Sequence, residues 1–262
     1  MDDSLKAALL GLVQGLSEFL PISSSAHLHA LHHVLDFKDQ PIAFDLALHL
    51  ATLAAVILYF RKEIWTVLRT STRWPVLLRI VVATVPIAIA GLLLKDVREN
   101  APAWIPVLGW AVSGVYLLLL GRARGGTQVY ASAPLRVALG VGAAQALSIL
   151  PGMSRSGTTI TAGIWSGLSR DEAARFSFFL SIAAIVLASL AKARDLAKLS
   201  LSGTELSGLW ASAAIGMPVA FATGMAAIHL LLRVVRGASF HRFGWYNLLA
   251  AGVYGGYLIV VG

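Results

Sequence analysis

A short polar motif occurs twice in this chain, each time in the middle of an apolar stretch. Residues 14–27 recur without gaps as residues 145–158, so the two copies lie half of the 262-residue chain apart. Both copies begin Gln-Xaa-Leu-Ser, contain a proline and end in a cluster of hydroxyl side chains. A duplicated segment is the simplest explanation, and it predicts two related halves, residues 1–131 and 132–262.

The composition places these motifs in a membrane. Hydrophobic residues make up 57% of the chain and charged residues 13%, whereas about a quarter of a soluble domain is charged. The net charge of +8 does not predict a nucleic-acid partner, because the basic residues lie at the ends of apolar segments. The chain has no cysteine, which excludes disulfides and thiolate metal sites.

Six apolar stretches have the length, about 17–25 residues, that a helix needs to cross a bilayer. They lie near residues 43–60, 76–94, 104–120, 176–191, 209–232 and 243–261. Two further stretches, about 5–35 and 134–168, are interrupted by the polar motif. Polar backbone at membrane depth must face protein or a water-filled cavity, so these stretches predict re-entrant hairpins around a shared cavity. The sequence therefore predicts an all-α integral membrane protein, a single polytopic domain with six transmembrane helices and two re-entrant hairpins.

The basic residues predict the orientation of this domain. The loops after the spans near 43–60 and 104–120 are rich in Lys and Arg, and their side of the protein carries more of these residues than the other side. Basic loops remain in the cytoplasm. The first hairpin then enters from outside and the second from the cytoplasm, which makes the repeat inverted and the hairpins opposed. No basic segment precedes the first apolar stretch, so no cleaved signal peptide is expected.

The first copy of the motif carries an acid, a serine cluster and a histidine. A carboxylate in an apolar hairpin, Glu18, is costly and so is a functional candidate, although it could also cap the broken backbone. Gln14 lies one turn earlier on the same face. The serines could bind an anion or merely cap a helix. The histidine could be a proton-transfer residue or an ordinary hydrogen-bonded interior residue. The serines are Ser23, Ser24 and Ser25, and the histidine is His27.

The second copy carries a guanidinium. An unpaired Arg155 at membrane depth would be prohibitive, so this side chain predicts either phosphate binding or an internal ion pair with Glu18. The small and hydroxyl residues around it resemble an anion cradle at the start of a helix. They are Ser154, Ser156, Gly157, Thr158 and Thr159. Elsewhere, Asp45 and His49 share a helix face and could hold a metal, support the site or form a hydrogen-bonded pair.

Over essentially its whole length, the chain resembles the undecaprenyl-diphosphate phosphatase family, also called bacitracin-resistance proteins. The resemblance is carried by Gln14-Gly-Leu-Ser-Glu18 with Pro21-Ile-Ser-Ser-Ser-Ala-His27, and by Pro151-Gly-Met-Ser-Arg155-Ser-Gly-Thr-Thr159. It implies six spanning helices with two opposed hairpins and hydrolysis of a C55 polyprenyl diphosphate to the monophosphate and inorganic phosphate. The activity would recycle the lipid carrier for cell-wall synthesis and confer bacitracin resistance. The site would face the outer side of the bacterial inner membrane.

The resemblance also assigns roles to residues. Glu18 matches the essential acid, Ser24 the proposed nucleophile, His27 the proposed proton shuttle and Arg155 the diphosphate-binding arginine. The family has Glu or Gln at the position of Gln14. The hydroxyls that match the phosphate site are those of Ser23, Ser154, Ser156 and Thr159.

The resemblance further implies help from Mg²⁺ or Ca²⁺, with Glu18 as the candidate ligand and the diphosphate and water supplying most of the coordination. Two alternatives remain open at this point. Water activated by Glu18 could replace Ser24 as the nucleophile. Inverted broken helices around a polar site also describe a transporter, so the protein could flip a polyprenyl phosphate. The expected partners are the lipid substrate and membrane lipid, and a homodimer is possible.

Overall fold

The computed structural model describes residues 2–35, 41–71, 73–95, 101–198, 203–237 and 239–261. These residues form eleven α-helices and one short 3₁₀ turn, Phe240–Arg242. The helices are α1 Asp3–Phe19, α2 Ser24–Leu35, α3 Pro41–Tyr59, α4 Arg61–Arg69, α5 Arg73–Leu93, α6 Ile105–Leu120, α7 Leu135–Leu147, α8 Arg155–Trp165, α9 Arg170–Leu196, α10 Gly203–Arg236 and α11 Phe243–Val261.

Five of these helices, α3, α5, α9, α10 and α11, are long and apolar enough to cross a membrane. They coincide with five of the six predicted spans, so the prediction of an all-α integral membrane protein is confirmed. The sixth predicted span is α6, which has only 16 residues. At 1.5 Å per residue it is shorter than a bilayer core of about 30 Å. Its central residues contact both polar motifs, as described below.

The two interrupted stretches are helix pairs, as predicted. Helix α1 ends at Phe19, and α2 starts at Ser24, while α7 ends at Leu147 and α8 starts at Arg155. We call the segments between the paired helices the first break, residues 20–23, and the second break, residues 148–154. Each break contains one residue with a positive φ angle, Ser23 at 68° and Gly152 at 92°. This left-handed backbone conformation has a higher free energy for serine than for glycine, because serine has a Cβ atom.

The packing of the helices repeats across the two halves. Helix α1 packs mainly on α10 of the second half, and α7 packs mainly on α5 of the first half. Both contacts are close: a Cβ atom on Gly11 would lie 2.4 Å from the backbone oxygen of Gly216, and one on Gly142 would lie 2.6 Å from that of Ala83. Gly11 and Gly142 each lie three residues before a copy of the duplicated motif, so they are equivalent in the two halves. Small residues at both contacts therefore let each hairpin approach the opposite half.

Helix α4 was not predicted from the sequence. It is amphipathic and has no buried residue, and the guanidinium of Arg69 lies 3.9 Å from the centre of the Trp65 ring. Exposed tryptophan beside arginine is typical of a helix at the membrane surface. The helix follows α3 on the side that the basic loops assign to the cytoplasm.

Candidate active site

The tips of the two hairpins meet at a cavity of about 170 Å³. This meeting is the arrangement expected of hairpins that enter from opposite sides. Polar residues of both breaks line the cavity together with apolar residues of α5 and α9. The lining residues are Ser17, Glu18, Ser23, Ser24, Ser25, His49, Ile87, Ser148, Met153, Ser154, Arg155, Ala184, Ile185 and Ala188.

Glu18 lines the cavity and contacts both hairpins. Its Oε2 atom accepts hydrogen bonds from the Ser24 hydroxyl at 2.7 Å and from the Gln14 amide at 3.0 Å. Its Oε1 atom accepts one from the Arg155 guanidinium at 2.8 Å. The carboxylate is therefore oriented by three donors, and one of them is the Ser24 hydroxyl, which the family resemblance implies to be the nucleophile.

Arg155 is the first residue of α8, and its side chain crosses to the other hairpin. The ion pair with Glu18 is well shielded, with only 14% of the Arg155 side chain and 6% of the Glu18 side chain exposed. The predicted ion pair is thus present. Arg155 bonds to Glu18 through its NH2 group alone, and the residue also lines the cavity. Its remaining N–H donors are therefore available to an anion.

The remaining predicted residues of the second copy divide into two groups. Ser154 lines the cavity and caps α8 by accepting a hydrogen bond from the Gly157 amide at 3.1 Å. The other four residues, Ser156, Gly157, Thr158 and Thr159, are buried in α8 and are not part of the cavity lining. Thr159, for example, shares a hydrogen bond of 2.7 Å with Ser177 of α9. The bonds of Ser156, Gly157 and Thr158 stay within α8 and its cap, so of these four residues Thr159 bonds to a neighbouring helix.

Of the two candidate histidines, His49 lines the cavity and His27 does not. His27 does not line the cavity; its Nδ1 atom lies 2.8 Å from the Ser23 carbonyl oxygen and its Nε2 atom 2.7 Å from the Tyr246 hydroxyl. His49 does line the cavity, and its Nε2 atom lies 3.9 Å from Glu18 Oε2. The expected pairing of His49 with Asp45 runs through the backbone, since Nδ1 donates to the Asp45 carbonyl at 2.6 Å.

Side chains from distant helices satisfy the carbonyl groups of the first break. The Asn247 amide donates to the Pro21 carbonyl and the Trp110 indole to the Ile22 carbonyl, both at 2.8 Å. The His27 ring does the same for Ser23. Sequence reasoning missed Asn247 and Trp110. A lone amide inside the apolar helix α11 is the signal that could have identified Asn247.

The second break is held in a similar way, by helix α6. The Ser113 hydroxyl accepts a hydrogen bond from the Ser154 amide and donates one to the Gly152 carbonyl, each at 3.2 Å. A Cβ atom on Gly152 would lie 2.4 Å from the Pro106 carbonyl oxygen, so the break lies directly against α6. One helix thus supports both tips, because Trp110 and Ser113 are one turn apart.

Comparison with known proteins identifies the family. Residues 7–253 match the model of the bacitracin resistance protein BacA family. The chain belongs to the BacA family. It is 38% identical to undecaprenyl-diphosphatase 2 of Stutzerimonas stutzeri, over 96% of this chain and 97% of the relative. It is also 38% identical to the undecaprenyl-diphosphatase of Geobacter sulfurreducens, over 98% of each chain. Both motifs of this BacA-family chain lie within the matched region.

The metal expected from the family resemblance has little support in the side chains. In the part of the BacA-family chain that the structure describes, no three His, Asp or Glu residues are grouped as a metal site. Among the acidic residues, Glu18 alone lines the cavity, and its two oxygens are occupied by Arg155, Ser24 and Gln14. The side chains therefore do not fit a metal held by the protein, and we assign no residue as a metal ligand.

Proposed function

We propose that this protein is a membrane phosphatase that hydrolyses undecaprenyl diphosphate to undecaprenyl phosphate and inorganic phosphate. One observation carries the proposal: a serine hydroxyl, the carboxylate that accepts its proton and an arginine meet in one cavity. These are the parts that phosphoryl transfer uses. The two relatives described above bear the name of this enzyme.

The geometry supports attack by Ser24 on the terminal phosphorus. Its Oγ atom donates to Glu18 Oε2 at 2.7 Å, so the proton can move to the carboxylate as the bond to phosphorus forms. Arg155 stabilises charge on the phosphoryl oxygens, and Ser23, Ser25 and Ser154 offer hydroxyls beside it. Positioning and charge stabilisation do most of the work in such reactions. In the alternative mechanism, water activated by Glu18 attacks the phosphorus in place of Ser24.

The apolar lining residues of the cavity support binding of the prenyl chain there. Ile87 of α5 and Ala184, Ile185 and Ala188 of α9 face the same cavity as Glu18. An apolar wall beside a polar cluster matches a substrate with a charged head and a hydrocarbon tail. The lipid would enter between α5 and α9, with its diphosphate at the hairpin tips.

The proposed setting is the bacterial inner membrane, with the cavity open to the outer side. The distribution of Lys and Arg supports this orientation. There the enzyme would recycle the lipid carrier of cell-wall synthesis and raise resistance to bacitracin. We also predict that Mg²⁺ or Ca²⁺ bound to the diphosphate assists the reaction. Assembly as a homodimer is a further prediction. Transport of polyprenyl phosphate is the less favoured alternative, because a flippase has no need of a serine paired with a base.

Phosphate release by the purified protein in detergent tests the proposal. Wild type should release inorganic phosphate from a polyprenyl diphosphate, and both Arg155→Ala and Glu18→Gln should abolish the release. Arg122→Lys, a change at an exposed position, serves as the control. No release from folded wild-type protein would reject the phosphatase, and a detergent assay excludes transport because it has a single compartment.

A further inference from the structure

His49 lines the cavity but lies outside both copies of the motif. It belongs to α3, outside both hairpins, and 19% of its side chain is exposed. Its Nε2 atom lies 3.9 Å from the Oε2 atom of Glu18, the oxygen that also holds the Ser24 hydroxyl. The Glu18 carboxylate therefore lies close to both the His49 imidazole and the Ser24 hydroxyl.

The hydrogen bonds of His49 fix which ring nitrogen is available. The Asp45 carbonyl oxygen can only accept, so Nδ1 carries the hydrogen of the 2.6 Å bond between them. In the neutral ring, Nε2 then carries a lone pair, and this atom lies 3.9 Å from Glu18 Oε2. The Asp45 carboxylate is engaged elsewhere, by His32 at 2.9 Å. His49 is thus held as a proton acceptor.

His27 offers no such lone pair. Its Nδ1 atom donates to the Ser23 carbonyl, and its Nε2 atom accepts from the Tyr246 hydroxyl at 2.7 Å. Both ring nitrogens are used, and the residue does not line the cavity. Its contacts support the first break, whereas those of His49 face the reacting groups.

We propose that His49 takes the proton that Glu18 receives from the attacking group, an inference that rests on the proposed phosphatase function. In the first step the Ser24 oxygen bonds to phosphorus, the bond to the bridging oxygen breaks with its electron pair on the lipid monophosphate, and the proton moves to Glu18 Oε2. The phosphorylated Ser24 no longer donates to Oε2, which opens a path to His49 Nε2. Transfer restores the Glu18 carboxylate, and His49 returns its proton to solvent. Water then attacks the phosphorus, its proton passes through Glu18 to the Ser24 oxygen as the bond between Ser24 and phosphorus breaks, and inorganic phosphate leaves.

The 3.9 Å separation suits this role in the resting enzyme. A direct transfer needs about 2.6–3.2 Å between heavy atoms, and catalytic hydrogen bonds are often longer before substrate binds. Other charged groups near His49 are Arg155, which pairs with Glu18, and Lys192 on α9. If water is the nucleophile, the same transfer follows, since Glu18 then receives the proton from water.

Two variants of His49 separate catalysis from structure. His49→Asn retains a donor near Nδ1 for the Asp45 carbonyl, and His49→Gln places an amide near Nε2, but neither side chain can take up a proton. We expect kcat for phosphate release to fall about 10²-fold or more in both variants, with KM within threefold of wild type and unchanged thermal unfolding. The matched control is His29→Gln, an exposed histidine on α2, which should retain wild-type kinetics.

The outcomes distinguish this inference from the proposed function. Either His49 variant within threefold of the wild-type kcat would overturn the role of His49 and leave the phosphatase intact. A raised KM with unchanged kcat would also overturn it, since His49 would then only bind substrate. Absence of phosphate release from wild type would reject the phosphatase itself.

Discussion

At the scale of single residues, Glu18 connects the two halves of the protein. One carboxylate accepts from Ser24 of its own hairpin and from Arg155 of the other. Removing one partner of a buried ion pair costs about 3–5 kcal/mol, since the remaining charge is left without compensation. Glu18→Gln therefore removes the base and also loosens the anchor of Arg155, so its loss of activity has two causes.

Ser24 and Ser25 provide a sharper comparison. Ser24→Ala should lower kcat by about 10³-fold or more, because it removes the nucleophile and its bond to Glu18. Ser25 is exposed and bonds only weakly to Ser23, at 3.4 Å, so Ser25→Ala should raise KM a few-fold and retain most of kcat. Steady-state phosphate release measures both. A Ser24→Ala enzyme with near-normal turnover would exclude serine attack in favour of water.

At the scale of elements, α6 determines where the two hairpin tips lie. It is too short to be a typical span, and its middle residues bond to both breaks through Trp110 and Ser113. Helix α11, its neighbour, adds Asn247 to the first break. The polar backbone of the breaks is thus satisfied by side chains from outside the motif, as a membrane interior requires.

Ser113→Ala tests this support. It leaves the Ser154 amide and the Gly152 carbonyl without their partner, at a cost of about 1–3 kcal/mol for each buried group. We expect a lower unfolding temperature in detergent and reduced phosphate release. Ser113→Thr keeps the hydroxyl and should recover most of both quantities. Equal stability of Ser113→Ala and wild type would contradict the assigned support.

The contact between α1 and α10 permits a second test at this scale. Gly11→Ala places a methyl group 2.4 Å from the Gly216 backbone oxygen, and overpacking of this kind costs about 1–3 kcal/mol. Gly252→Ala is the matched control, because no atom lies within 4 Å of its Cβ position. Thermal unfolding in detergent should show a decrease for the first variant only. A shift of the same size in both would mean that helix glycines, and not the contact, set the stability.

At the scale of the whole molecule, each hairpin packs mainly on the other half of the chain, and the cavity draws residues from both halves. Neither half contains a complete site. The proposed orientation places the cavity towards the outside of the cell and α4 at the cytoplasmic surface.

Labelling of single cysteines tests the orientation, because the chain has none of its own. Lys198→Cys, after α9, should react with a membrane-impermeant maleimide in intact cells. Arg122→Cys, after α6, should react only once the membrane is permeabilised. The reverse labelling pattern would show that the molecule has the opposite orientation, with the cavity on the cytoplasmic side.

Local sequence patterns predicted the elements of this fold but not the contacts between them. Apolar length and the interruptions at Pro21 and Pro151 revealed the spans and hairpins, since these depend on neighbouring residues. Support of the site was one of several options for His49, and Trp110 was not singled out, because both residues reach the site only through packing between distant segments. Helix α4 was missed since an amphipathic surface helix lacks the continuous apolar run used to find spans.

The pairing of Glu18 with Arg155 has a consequence for how the duplication evolved. In the ungapped alignment of the two copies, Glu18 is equivalent to Ile149 and Arg155 is equivalent to Ser24. The two charges therefore occupy different positions of the motif, and two copies of either present half would lack one member of the pair. The pair exists only because the two copies differ in sequence, so neither half can now be exchanged for the other.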